Sequence, residues 1–433
     1  MPEALSGAFY RNGPARHERG GRRYHHWFDG DGMMQAFRIE AGRISHRGRF
    51  VATTKLAADA AAGQFVVPAF GAPGAEGLGL TAPDEVNAAN MSPLVHAGEL
   101  LAVWEAGSPH VLDSVSLETR GRKVWRADLK GLPFTAHPKV EPDGTLWAFG
   151  YDTADHIVLY HIGKDGAVRA ASVLNAAPLG MVHDFVVTAK HLVFALPPLV
   201  IDPERFRAGQ TFIDAHVWKP ALGMRVLAVA KDDLKTVKTW QLPAGFNFHF
   251  GNAWEETDGT IRFDYCLAPD ATGVTETLRY VMRGEWRPAT GPTRFARVVL
   301  RPGKTDGEQE ITATAAEFPR VAPAVVAQRY RHVYSLGAPS AEWYTAVLRW
   351  DLDSGTTDQF DYGDGFIAEE HVFVPRPGGG EADGWLIGTA LDLERAATTL
   401  NLFDAGRIAD GPIVRATLPY ALPLGFHGTL APA

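Results

Sequence analysis

The stretch Phe246-Asn247-Phe248-His249-Phe250-Gly251-Asn252-Ala253-Trp254-Glu255-Glu256 decides how the chain is read. Its alternation predicts a strand with Phe246, Phe248 and Phe250 on one face and Asn247 and His249 on the other. A single histidine so placed is most simply a hydrogen-bonded core residue. The chain repeats the arrangement, however. His137 lies in Thr135-Ala136-His137-Pro138-Lys139-Val140, His183 in Met181-Val182-His183-Asp184-Phe185, and His427 in Pro423-Leu424-Gly425-Phe426-His427-Gly428. Four strand-borne imidazoles converging on one point would make a metal site.

Working outward, the 45 glycines and 29 prolines are spread along the whole length, as many short strands joined by turns require. Hairpin signals recur at Asp29-Gly30-Asp31-Gly32, Pro142-Asp143-Gly144, Lys164-Asp165-Gly166, Asp258-Gly259 and Asp383-Gly384. Helical periodicity is scarce; the segments 203–208 and 321–328 read as short helices on loops. Four-strand units recur every ~50–60 residues. They are placed at 24–51, 91–124, 137–173, 183–242, 249–314, 332–362 and 370–418, and 426–430 completes the unit begun at the N-terminus. The expected fold is all-β, one seven-bladed propeller over residues 1–433, with loops and short helices capping an axial metal site. Single residues from successive inner strands meet on the axis of such a fold. His137, His183 and His249 each open a unit, and their spacing is blade-sized.

Composition excludes several classes. With 433 residues, net charge -8 and no basic cluster, nucleic acid is not an expected partner. Cys266 is the only cysteine, which excludes an internal disulfide and a cysteine zinc site. No apolar leader core stands in residues 1–20, and the longest apolar run, Leu192 to Ile201, is interrupted by Pro197 and Pro198. A cytoplasmic protein is expected, with room for weak peripheral membrane contact and no obligate protein partner. Neither a dinucleotide fingerprint nor a Walker loop is present.

Four neutral imidazoles would leave a bound metal positive, so carboxylates accepting their outer N–H groups should accompany them. Glu105, Glu317 and Glu370 stand in apolar, strand-like surroundings where an unpaired carboxylate is costly. Taken singly, each is equally readable as a surface charge or a structural ion pair.

The segments Gly7-Ala8-Phe9-Tyr10-Arg11-Asn12-Gly13-Pro14, His26-Trp27-Phe28-Asp29-Gly30-Asp31-Gly32-Met33, Arg49-Phe50-Val51, Trp104-Glu105, His137-Pro138-Lys139, His183-Asp184-Phe185, Phe373-Val374-Pro375-Arg376 and Leu422-Pro423-Leu424-Gly425-Phe426-His427-Gly428 follow in order along nearly the whole chain. Together they resemble the motifs of the carotenoid cleavage oxygenases. The resemblance implies a seven-bladed propeller holding non-haem Fe(2+) on His137, His183, His249 and His427. It further implies that Glu105, Glu317 and Glu370 bond to three of these imidazoles and leave the fourth without a carboxylate. The implied reaction is O2-dependent scission of a carbon–carbon double bond, with O2 as co-substrate and an apolar alkene as the other.

Within that family, stilbene- and phenylpropanoid-cleaving members carry a lysine directly before the first of these glutamates. Here the position is Trp104, as in the apocarotenoid cleavers, so a carotenoid or apocarotenoid is the expected substrate. A stilbenoid or vinyl phenol is the alternative, and an isomerase or carrier the more distant one. Trp104 and Phe248 are candidate substrate-lining residues, with propeller core as the plain alternative. Met91 stands where many members have Thr, and its thioether should narrow or reshape the open side of the metal.

Overall fold

The computed structural model describes residues 1–78, 80, 82–339 and 343–433. Among these, five four-stranded antiparallel sheets and one seven-stranded sheet hold almost all of the regular structure. The seven-stranded sheet is two four-stranded units sharing the long strand Glu308–Arg320. Its first half pairs with Arg294–Leu300 and its second with His332–Gly337. The spacing had ended one unit at 314 and begun the next at 332; a continuous strand spans that boundary.

The chain closes on itself. Strand Gly7–Arg16 pairs with Asp31–Glu40 on one side and with the C-terminal strand His427–Pro432 on the other, in a register that sets Asn12 opposite His427. Alternation along Gly7–Arg16 sends Phe9 toward Trp385 and Leu400 of the last unit, and Ala8 and Tyr10 toward Leu100 and Leu112 of the second. The same packing runs on around the chain. Leu101 and Val103 meet Leu146 and Tyr160, Phe149 meets Phe194, and Val226 meets Phe263. Phe295 then meets Val333 and Trp350, and Leu336 meets Phe373 and Leu386. Each sheet therefore buries both faces against its neighbours, and the fold is an all-β propeller.

The turns at Asp143-Gly144 and Asp258-Gly259 join successive strands, their glycines taking φ of +88° and +83°. Asp29-Gly30-Asp31-Gly32 is not a hairpin turn. Trp27–Asp29 is a 3-10 turn capped by His26, and the Asp29 carboxylate accepts N–H bonds from His26 (2.9 Å) and Gly71 (2.7 Å) before the strand starts at Asp31. Short helices form at Pro203–Arg207 and Pro323–Val325, within the segments expected. The helix Thr54–Ala62 was not anticipated. Thr53 caps it by accepting from Leu56 N–H (3.0 Å), and Gly63 ends it at φ +66°. Its Lys55 is fully buried and reaches Asp31 and Asp59, both at 3.0 Å, and Tyr24. No helix among the described residues is long and apolar enough to cross a membrane.

Candidate metal centre

The innermost strands of successive units carry the histidines and most of their partners. His137 precedes Lys139–Val140, His183 precedes Val186–Val187, His249 lies within Phe246–Glu255, and His427 opens the last strand. One donor nitrogen from each of the four lies within 4.8 Å of the others, and all four residues are buried. The Nε2 atoms of His137 and His183 are 2.9 Å apart, and those of His183 and His249 are 3.2 Å apart.

The outer nitrogens fix the tautomers. His249 Nδ1–H donates to Glu317 (2.5 Å), His427 Nδ1–H to Glu370 (3.0 Å), and His183 Nδ1–H to Glu105. His137 has no carboxylate partner among the described residues. With Nδ1 protonated, the inner Nε2 atoms of His183 and His249 present bare lone pairs to each other at 3.2 Å. Such an arrangement is repulsive unless a cation lies between them. Nitrogens ~2.1 Å from one ion and at right angles sit ~3.0 Å apart, which matches the observed separations. The donor set fits a divalent transition metal.

Electrostatics favour neutral imidazoles at His137 and His427. Burial, then the neighbouring His427, His183 and His249, push the His137 pKa well down, and burial takes His427 down to about 4. Burial would also lower His249, but Glu317 overcomes it and the pKa is raised. Glu370 is held at about 2: burial opposes ionisation, but Arg320 and His427 outweigh it. Neutral His137 and His427, with the Glu370 carboxylate ionised behind the latter, are the state a metal requires. At His249 a bound cation would have to displace the proton that Glu317 favours.

Local backbone irregularity aims these groups. The pairing of Phe246–Glu255 with Ile261–Ala268 slips between Asn247 and Phe250 and again between Phe250 and Ala253. The simple alternation read from the sequence is therefore broken. Phe248 and His249 border the same cavity, while Phe250 turns away to pack on Phe263 and Tyr265. A second slip lies between Glu317 and Arg320, where Phe318 takes φ +56°. That left-handed conformation is costly for an aromatic residue. Here it lays the Phe318 ring on His249, with centroids 4.8 Å apart, while the Phe318 N–H donates to Glu317 (2.5 Å). A third slip, between Ala368 and His371, buries both Glu369 and Glu370.

A cavity of about 340 Å³ opens from the histidines, bordered by His183, His249 and His427 but not by His137. Its walls are mainly aromatic and aliphatic, with Trp27, Phe28, Phe248, Phe318, Trp343 and Phe426 prominent. Among the described residues, no Lys or Arg borders it. Of the three substrate-lining candidates, Met91 and Phe248 border the cavity. Trp104 does not; it packs against Met91, Ala136 and Phe426, so it backs the wall rather than forming it. Phe318, Phe426, Trp27 and Glu369 were missed as site residues. Trp27 and Phe426 at least flank motif histidines in sequence, whereas nothing local distinguishes Phe318.

Comparison with known proteins agrees with this geometry. Residues 1–432 match the family described as RPE65, retinal pigment epithelial membrane protein. The chain is 29% identical over 464 residues to a carotenoid 9,10(9',10')-cleavage dioxygenase of Pisum sativum, covering 99% of this chain and 84% of that protein. It superposes on cobalt-substituted apocarotenoid oxygenase of Synechocystis with a TM-score of 0.89 at 28% identity, covering 100% and 94% of the two chains. Against lignostilbene dioxygenase of Pseudomonas brassicacearum the TM-score is 0.88 at 27% identity, covering 100% and 93%. A match over nearly the whole chain, to a propeller whose axis gathers four buried histidines, shows that the protein belongs to the carotenoid cleavage oxygenase family.

Proposed function

We infer that the protein is an Fe(II)-dependent oxygenase that cleaves one carbon–carbon double bond of an apolar alkene. The observation that carries this reading is the union of four metal-ready imidazoles with a mainly apolar cavity opening directly onto three of them. In the reaction R–CH=CH–R′ + O2 → R–CHO + R′–CHO, both oxygen atoms end in the two carbonyls, so no external reductant is needed. Iron held by His137, His183, His249 and His427 would supply the O2 activation that a closed-shell alkene otherwise lacks.

The chain's own residues do the rest. Glu105, Glu317 and Glu370 hold three imidazoles in the tautomer that turns a lone pair inward. The aromatic walls exclude water and hold an extended apolar chain, and about 340 Å³ falls within the ~300–1,000 Å³ range of small-molecule sites.

A polyene of the carotenoid or apocarotenoid class is the favoured substrate. A phenol-bearing stilbenoid calls for a cation or strong polar partner for its ring oxygen, and no Lys or Arg among the described residues borders this cavity. Tyr344 borders it, but burial holds that phenol's pKa well up, so the side chain offers a neutral hydroxyl and no charge. Iron-loaded protein incubated in air with apocarotenals, hydroxystilbenes and vinyl phenols tests the reading. Shorter aldehydes from the apocarotenals are expected, with matching O2 uptake. Cleavage of none of these alkenes would refute the oxygenase reading, and faster turnover of hydroxystilbenes would refute the substrate class.

A further inference from the structure

Glu105, Glu317 and Glu370 fix the rings of three histidines, yet the ring of His137 has no such partner among the described residues. The backbones that carry His137, His183 and His249 also belong to three separate sheets, with no hydrogen-bonded ladder between their inner strands. One further carboxylate crosses those gaps. Asp184 directly follows His183 and is 2% exposed. Its Oδ1 accepts from Phe185 N–H (2.7 Å) and lies 2.7 Å from Nζ of Lys139, two residues past His137. Its Oδ2 accepts from Phe250 N–H (2.9 Å), the peptide directly after His249.

Each contact has a physical reason. Phe246–Glu255 is the innermost strand of its sheet and pairs on one side only, so a buried N–H on its free side is orphaned unless a side chain reaches it. The ladder slips on either side of Phe250, and Asp184 takes the N–H there. Lys139 is joined to His137 through Pro138, whose ring fixes one of the few dihedrals between them. The other bond at this segment, from His137 N–H to Thr135 Oγ1 (2.9 Å), stays within one loop and sets no distance to another sheet.

We propose that Asp184 is a positioning residue that holds His137, His183 and His249 at metal-binding separation before the metal arrives. It does not border the cavity and acts through the peptides and the lysine around it. Three donors converge on its two oxygens, and an amide in its place would turn an NH2 toward at least one of them. His427 stands outside this set. There Glu370 accepts from both the ring (3.0 Å) and Gly428 N–H (2.7 Å), so a single carboxylate holds ring and backbone together. The proposal rests on the four-histidine metal centre and not on the alkene chemistry.

Titration of the metal-free protein with Co(II) tests this, read by the visible ligand-field bands and by competition with a chelator. D184N keeps the shape but removes the charge and one acceptor. K139M removes only the tie to the His137 segment, and with its side chain 18% exposed the lysine is the milder site to change. E255Q is the control. Glu255 is equally buried and bonds His191 (2.8 Å) across the same two neighbouring sheets, but six residues beyond His249. D184N should bind Co(II) about 10–100-fold more weakly and with shifted bands, and K139M about tenfold more weakly. E255Q should unfold at lower urea while its Co(II) affinity and bands match wild type. Wild-type affinity and bands in either D184N or K139M, or an equal loss in E255Q, would overturn the proposal, and K139M decides alone where D184N does not fold. Wild type that takes up no Co(II) would refute the metal centre itself and the proposal with it.

Discussion

Replacing Arg11 with Met should expose how the segment leading to His427 is held. Arg11 and Glu369 are 2% and 5% exposed, and the guanidinium bonds both the Glu369 carboxylate and the Pro423 carbonyl (3.1 Å). Glu369 also accepts from Gly425 N–H (2.6 Å) and from the Thr389 hydroxyl (2.8 Å). The ion pair therefore ties the first and last units to residues 423–425, two positions short of His427. Removing one partner of a buried pair costs ~3–5 kcal/mol, because the other charge is left in a low-dielectric site. Glu369 keeps two donors, so the lower end, ~3 kcal/mol, is expected for R11M. R11M/E369Q removes both charges but keeps an amide oxygen for the Gly425 N–H and the Thr389 hydroxyl, and should recover at least ~1 kcal/mol of that loss. Arg11 Nε and Nη1 have no protein partner, so little hydrogen bonding is lost with them. Urea unfolding followed by near-UV circular dichroism measures all the variants of the cycle, with E369Q alone completing it. A loss below ~1 kcal/mol in R11M, or a double variant no more stable than the single, would refute the reasoning.

Glu317→Gln should leave the metal bound but weaken its affinity by about 10–100-fold, read by competition with a chelator, because the amide no longer enforces the His249 tautomer. Lys55→Met should destabilise the fold by ~3 kcal/mol in urea unfolding, since Asp31 and Asp59 would lose a fully buried counter-ion. Acid should act through neutral buried histidines. Burial lowers His26 to about 3 and His110 and His216 to about 4. Their folded pKa values lie below the unfolded value of ~6.5, so the unfolded chain binds more protons between these limits and stability falls as pH falls from ~6.5 toward ~4. Together they predict a slope of up to ~4 kcal/mol per pH unit near pH 5, measurable as the pH dependence of the unfolding free energy.

Residue type and order made the four histidines and their three glutamates legible. An imidazole in a repeated strand context, at blade-sized spacing, has few other uses. The closure of the ring by residues 426–430 was legible for a similar reason, because a propeller closes when its last strand completes the unit begun at the N-terminus. What the sequence hid are the places where strand pairing slips. Alternation assigns Phe248 and His249 to opposite faces, yet a bulge lets both border one cavity. Nothing local marks Phe318 for a left-handed conformation, which the surrounding sheet imposes. Glu369 reads like its neighbour Glu370, and only the fold shows that one faces Arg11 and the other His427. Trp104, readable as cavity wall or as propeller core, packs against Met91, Ala136 and Phe426, and the sequence alone does not fix which aromatic stands in front.

Metal analysis of purified wild type and His249→Ala, reconstituted with Fe(II) under nitrogen and desalted, tests the central claim most directly. Wild type should retain about one iron per chain and His249→Ala should lose it, since removing one of four ligands opens the site. Equal iron in the two proteins, or none in either, would contradict a centre built on His137, His183, His249 and His427.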